Sequence, residues 1–314
     1  MNEQEPKKER KSYLKWIIAL LVIILLAFGI RMSLKSDWLL DYARGIVVEQ
    51  ANQQINGEIQ IGAIRGDLLF GFTISDITIS DLEQNEILAL DTLQLRYTLP
   101  SLIRTPHRLD LLRADGLRGT LVQGQDSVWN AERLLPAEPD EEPEETDPIY
   151  WSVNRLIVDR ADISVRSDLL LPDGYIEIQD LSIESHAEMF PDRWLVSLDH
   201  LSLKLNEGRL PAPIELSMQA VAMDEQITLE SLLLNTGRTM LSSSAEFANQ
   251  QNISGNADFT PLSRLDVAAY LEDYPVQKDL KIGITAEGTL DNLTLSVNAD
   301  AIPAASPVNI VKTV

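Results

Sequence analysis

The sequence predicts a mainly β protein, in which an N-terminal transmembrane helix and a short amphipathic helix lead into a long, curled antiparallel sheet with one short helical interruption. Three observations predict it. From Glu58 onward apolar and polar residues alternate, as in Leu93, Leu95, Tyr97 and Leu99 or Ile214, Leu216, Met218 and Ala220. Strands with one dry and one wet face require this period of two. Turn signals at Asp115-Gly116, Pro172-Asp173-Gly174, Asn206-Glu207-Gly208 and Asn235-Thr236-Gly237 cut the pattern into closely spaced strands, which favours antiparallel meanders over helical crossovers. Ahead of all this lies an uncharged apolar run.

That run, Trp16 to Ile30, contains Ile17, Ile18, Leu20, Leu21, Val22, Ile23, Ile24, Leu25, Leu26 and Phe28. As a helix it spans about 22 Å, short of the roughly 30 Å hydrocarbon core. Extending it from Tyr13 to Leu34 closes the gap, with Lys15 and Arg31 snorkelling to the headgroups and Tyr13 and Trp16 at the interface. A cleaved signal peptide is the alternative, with Ala27-Phe28-Gly29 as its small-x-small site. The run stays apolar to its end and Arg31 follows at once, which favours an anchor over 16–34. Lys7, Lys8, Arg10, Lys11 and Lys15 precede it, whereas Arg31, Lys35 and Arg44 follow among Asp37 and Asp41. The positive-inside rule therefore makes 1–15 a cytoplasmic basic tail and sends the rest across the membrane.

Residues 36–56 read as an amphipathic helix. Trp38, Tyr42 and Ile46 recur at four-residue spacing beside Leu39 and Val47, Ser36 or Asp37 caps the start, and Asn56-Gly57 stops it. Two roles fit it, a plug for the end of the β core and a helix lying near the membrane surface; the plug is expected, because the polar face is not enriched in cations. The helical interruption is expected within 262–271, from Leu262, Leu265, Val267 and Ala269.

A loose repeat runs through the strands: apolar, two mostly polar residues, apolar, polar, apolar. It reads Ile74-Ser-Asp-Ile77-Thr-Ile79, Leu90-Asp-Thr-Leu93-Gln-Leu95, Ile178-Gln-Asp-Leu181-Ser-Ile183, Leu198-Asp-His-Leu201-Ser-Leu203 and Leu290-Asp-Asn-Leu293-Thr-Leu295. A three-residue step inside a two-residue period throws side chains to the wrong face unless a β-bulge or tight turn restores the phase. Residues 57–135 and 149–314 form two such segments, the second ending at an open strand. Between them, 136–148 holds seven carboxylates and four prolines, a composition that builds no core and reads as a disordered loop.

Composition narrows the function. The chain has 26 Lys+Arg against 48 Asp+Glu, a net charge of -22, which argues against nucleic acid as a partner. It has no Cys and only His107, His186 and His200, so no metal site, cofactor or catalytic residue suggests itself. Gly66 to Thr73 has the look of a phosphate loop, but Phe72 stands where the Lys must be. A non-enzymatic protein is expected.

The order of elements carries a resemblance. A single span and a helix lead into Gly57-Glu-Ile-Gln-Ile-Gly-Ala-Ile-Arg-Gly66-Asp-Leu-Leu-Phe-Gly71, then Leu90 to Tyr97 and Pro100 to Ile103. Gly288-Thr-Leu-Asp-Asn-Leu293-Thr-Leu295 follows much later. This resembles the AsmA-like superfamily, most closely the N-terminal region of the TamB family of inner-membrane translocation and assembly subunits. The resemblance implies a folded-over β groove (a β-taco) anchored in the inner membrane, its bulk in the periplasm. It implies phospholipid transport between inner and outer membranes and outer-membrane biogenesis, with an outer-membrane barrel of the TamA or BamA kind as a possible partner. TamB proteins are several times longer, so a truncated chain or fragment is expected.

A sheet apolar on one face must cover that face with another layer or with a ligand. Few helices are available as cover, so phospholipid acyl chains are the expected occupants. The candidate groove residues are the repeat's apolar members: Ile74, Ile77, Ile79, Leu90, Leu93, Leu95, Ile178, Leu181, Ile183, Leu198, Leu201 and Leu203. The alternatives are a scaffold for outer-membrane protein assembly or secretion, and an exported adhesin-like β protein whose apolar faces fill each other.

Overall fold

The computed structural model describes residues 36–135, 150–168, 175–190, 193–249, 251–271, 275–302 and 307–308. The predicted basic tail, the membrane segment 16–34 and the acidic loop 136–148 lie outside these residues. Among the described residues no helix is long and apolar enough to cross a membrane.

Helix α1 (Asp37–Gln53) leads into β1 (Glu58–Asp67), β2 (Gly71–Ser80) and β3 (Glu86–Arg96). Helix α2 (Leu99–Ile103), β4 (His107–Leu109) and β5 (Leu111–Val122) follow. Next come β6 (Trp151–Arg166), β7 (Tyr175–Met189), β8 (Trp194–Asn206), β9 (Ile214–Met223) and β10 (Gln226–Asn235). The chain continues through β11 (Met240–Ala248), β12 (Asn252–Leu262), α3 (Arg264–Ala268), β13 (Asp279–Thr289), β14 (Asn292–Ile302) and β15 (Pro307–Val308). All fifteen strands belong to one open, curled sheet whose order follows the chain, β4 alone lying off the path beside β6. At about 4.8 Å per strand the wall is about 60 Å long.

Two features depart from the expected meander. The β5–β6 and β4–β6 pairings are parallel. Val122 pairs with Arg166 at the far end of β6, whereas β6 begins at Trp151. The connection 123–150 must therefore carry the chain back along β6, about 50 Å at 3.3 Å per residue. The connection from β5 to β6 is thus a crossover, and the sheet order continues unbroken from β5 to β6. The second departure is an additional short helix, α2, marked by Pro100 in its first turn and by Ser101 Oγ accepting the Thr98 N–H at 3.2 Å. The expected interruption near 262–271 is α3, where the Ser263 hydroxyl accepts the Leu265 N–H.

Helix α1 forms where expected but packs through a different face. Leu40 is buried, Arg44 donates to the Gly62 carbonyl, and the Asn52 carboxamide pairs with both the N–H (2.6 Å) and the C=O (3.3 Å) of Ile59. These contacts close the free edge of β1, which would otherwise offer unpaired backbone groups. The Trp38, Tyr42 and Ile46 stripe, expected to plug the core, is exposed. The polar groups of the edge strand demanded partners, and an apolar stripe cannot supply them.

The sheet is a single layer. Every substantial contact between elements joins sheet neighbours, α1 with β1, or α2 with β4. Buried apolar residues among those described are few: Leu40, Ile64, Ile87, Ala89, Leu90, Tyr97, Val153, Ala161 and Leu210. Leu40, Ile64, Ile87, Ala89, Leu90 and Tyr97 lie from α1 to just past β3, and Val153, Ala161 and Leu210 lie farther along the wall.

Candidate functional site

The three-residue steps decide which face each side chain takes. At the polar pairs, Asp76 (φ 55°), Gly116 (φ 73°), Arg160 (φ 53°) and Asp180 (φ 52°) adopt left-handed backbone conformations. Asp and Gly tolerate this conformation best. Pairing shifts register between Val158 and Ala161, Gln179 and Ser182, Leu198 and Leu201, and Leu229 and Ser231. These bulges form a seam that steps along the strands between β7 and β8, and β6 and β7 carry further shifts at Val153–Leu156, Ala161–Ile163 and Glu184–Ser185.

The carboxylates of the seam point away from the apolar residues and meet cations from neighbouring strands. Arg118 reaches Asp91 at 3.0 Å, Arg113 reaches Asp159 at 2.8 Å, and Arg160 and Lys204 reach Asp115 and Asp180 at 2.7 Å. Hydrogen bonds and the charge of Asp115 raise the Arg160 pKa, and Asp180 does the same for Lys204. The seam thus holds polar groups on one face while the phase of the other is reset.

Strand register then lines the apolar face in rows. Ile64, Ile74, Leu93, Ala114, Val158, Ile183, Leu201, Met218 and Leu232 pair in turn from β1 to β10. Ile59, Ile79, Leu88, Gly119, Ile163, Ile178, Leu205 and Ile214 make a second row from β1 to β9. A third runs Phe72, Leu95, Leu112, Leu156, Ser185, Leu198, Ala220, Leu229 and Ala245 from β2 to β11, broken only by Ser185. Ile77 pairs with Leu90, Leu181 with Ala161, and Leu203 opens a row through Leu216, Leu234, Leu241, Phe259 and Ile282. Every one of the candidate residues falls in these rows. Leu90 is buried and the others are half-buried, the state of an apolar wall that neighbours shield from the side and that no second layer among the described residues covers.

A cleft of about 510 Å³ lies across β8 to β12. Lys204, Glu215, Asn235 and Asp258 surround Leu233 and Met240 there. It is a local depression with a mostly apolar lining that includes Leu203, Leu216, Leu234 and Leu241, whereas the rows extend across most of the wall. No family model, no curated protein and no solved structure matches the chain. The apolar rows are therefore judged on their own geometry.

The histidines do not converge. His107 Nδ1 lies 2.6 Å from the Leu102 carbonyl, and His200 Nε2 lies 3.2 Å from Ser202 Oγ. His186 lies 3.2 Å from Asp199, a partner that sequence spacing did not reveal because it comes from the next strand. Ser197 donates its hydroxyl to Asp199 at 2.6 Å, and this bond, then His186, holds the Asp199 pKa below the usual carboxylate range. The hydroxyl proton faces the carboxylate and not the imidazole, so this trio is no nucleophile–base pair. Among the described residues no group of three or more His, Asp and Glu could hold a metal ion.

Several row members escaped the sequence pattern. Ile61 to Ile64, Ala114 to Leu117, Val158 to Ala161 and Leu229 to Leu232 are further three-residue steps. Asp115-Gly116 and Asp159-Arg160 supply the polar pairs, but Ala in place of Leu or Ile hid two of these copies.

Proposed function

We propose that this chain is a membrane-anchored, exported β-groove protein that carries phospholipid acyl chains along its apolar face between inner and outer membranes. The observation that carries the reading is the set of continuous apolar rows, half-exposed and without a covering layer among the described residues. An uncovered wall of this kind would aggregate in water unless occupied. An acyl chain laid along it gains about 0.8 kcal/mol per buried methylene. Placement in the AsmA-like superfamily, near the TamB family, fits the same architecture. So does an anchor over 16–34 that leaves the sheet in the periplasm. The role is passive conduction, with no cofactor and no catalytic step.

One observation favours scaffolding of outer-membrane proteins as a second reading. Among the described residues β14 is paired on its outer side only at Ala299 and Asp300, which leaves a strand edge for a barrel partner.

Replacing Leu201 by Asp separates the possibilities, with Ser202→Asp on the opposite face as control. The groove reading expects Leu201→Asp to keep its β circular dichroism and to lose most co-purifying lipid, at least tenfold relative to Ser202→Asp. Retained fold with undiminished lipid would overturn it. Global unfolding would show Leu201 to be part of a closed core, because an unpaired charge is tolerated only where water reaches it.

A further inference from the structure

The stripe that α1 turns away from the sheet is the best-defined unpartnered surface near the N-terminus. Trp38, Tyr42 and Ile46 are 73%, 59% and 44% exposed, and the two aromatic rings stack at 6.0 Å with planes 10° apart. At 100° per residue these three side chains centre on the side of the helix opposite Leu40, which is 2% exposed against the sheet. The helix is clamped in this orientation by Arg44 on Gly62 and Asn52 on Ile59. Among the described residues nothing covers these two aromatics and the isoleucine.

We propose that this stripe lies on the surface of the bilayer that the apolar run Trp16 to Ile30 enters, so that α1 is a membrane-surface foot joining the anchor to the first strand. The inference rests on the membrane-anchor reading above. Only six residues separate Ile30 from Asp37, the first residue of α1, so the helix starts within about 20–25 Å of chain from the end of the run. Trp and Tyr are the side chains that settle at headgroup depth, one part apolar and one part wet. The stripe spans about 12 Å along the helix axis, from residue 38 to 46. Asp37, Asp41 and Glu49 outnumber Arg44 on the helix, so the contact is apolar and gains nothing from anionic lipid.

The chain contains no cysteine, so single introduced cysteines give unique sites for an environment-sensitive fluorophore. The full chain is reconstituted in phosphatidylcholine vesicles containing either shallow or deep nitroxide-labelled lipid, with iodide as the aqueous quencher. Labels at Tyr42→Cys and Ile46→Cys are expected to lose at least half their emission to the shallow nitroxide and little to iodide. A label at Leu290→Cys, 62% exposed at the distant β13–β14 turn, is expected to respond to iodide alone. A label at Leu26→Cys reports on the anchor and is expected to respond to the deep nitroxide. Deep quenching at Leu26 with iodide quenching at Ile46 would overturn the foot while leaving the anchor standing. No lipid quenching at Leu26 would remove the anchor reading and the foot with it. An Ile46 label shielded from both quenchers would mean that protein, and not lipid, covers the stripe, which also overturns the proposal.

Discussion

The two halves of the wall keep one face apolar by different means. From β2 to β8 the apolar residues step by three at mid-strand; the steps on β6, β7 and β8 shift the register, several steps carry a left-handed residue, and cross-strand ion pairs brace several of them. From β11 to β14 the spacing is two: β11–β12 and β13–β14 run in unbroken register, with Leu280, Ile282, Ile284 and Ala286 facing Ala301, Ala299, Val297 and Leu295. The last copy of the repeat does not bend a strand, because Asp291-Asn292 falls in the turn between β13 and β14. This half is pinned at its end instead. Asp266 of α3 is buried and accepts the hydroxyls of Thr236 (2.5 Å) and Thr239 (2.8 Å) from the β10–β11 turn. The same wall thus combines a stiffened seam with a straight, end-locked sheet. The difference teaches that a constant apolar face does not need a constant repeat, provided each irregular step finds a bulge or a turn.

The largest effect should come from the end lock. Replacing Asp266 by Ala leaves two buried threonine hydroxyls without an acceptor and should cost about 2–3 kcal/mol. Hydrogen exchange should show the loss concentrated in β10 to β12, with β2 to β8 little changed. Equal loss of protection across both halves would mean that the wall unfolds as one unit.

Glycine substitutions sharpen the contrast next. Gly116 has φ 73°, and a Cβ there would overlap the Asp91 carboxylate. Gly116→Ala should destabilise by about 2 kcal/mol, from the left-handed backbone and the displaced ion pair together. Gly283 in β13 has ordinary backbone, and the nearest atom to an added Cβ is Asp258 Oδ1 at 3.2 Å, the end of a side chain able to swing aside. Gly283→Ala should stay within about 0.5 kcal/mol of the parent. Chemical denaturation of the pair measures the difference, and equal costs would break the distinction between seam and straight sheet.

The smallest effect concerns pH. The Asp199 pKa is lowered in the folded state by Ser197 and His186, so its contribution is complete above the unfolded carboxylate range and is lost as pH falls through the lowered value. Asp199→Asn should therefore be slightly less stable than the parent at neutral pH, by under about 0.5 kcal/mol because the side chain is half-exposed. The gap should close below about pH 4. A gap that widens on acidification would reverse the assigned sign.

Much of the architecture was legible in the chain because it depends on short-range pattern. Alternation, turn residues and the polar pairs identified strands, their closeness and the need for phase correction at Asp76, Asp180 and the Leu198–Leu201 step, and Ser36 marked the start of α1, which ends at Gln53, ahead of the expected Asn56-Gly57 stop. What the chain did not disclose depends on contacts distant in sequence. The parallel β5–β6 pair is set by which edge β6 finds after a long connection. The orientation of α1 follows from Asn52 and Arg44 satisfying the open edge of β1, a demand invisible in the helix itself. The pairing of His186 with Asp199, and of Asp266 with Thr236 and Thr239, joins residues from separate elements. By itself the sequence determined which residues are apolar and how they are spaced, since side-chain period is a local property. Only the tertiary structure decided that those residues share one face, because register between strands is a long-range choice.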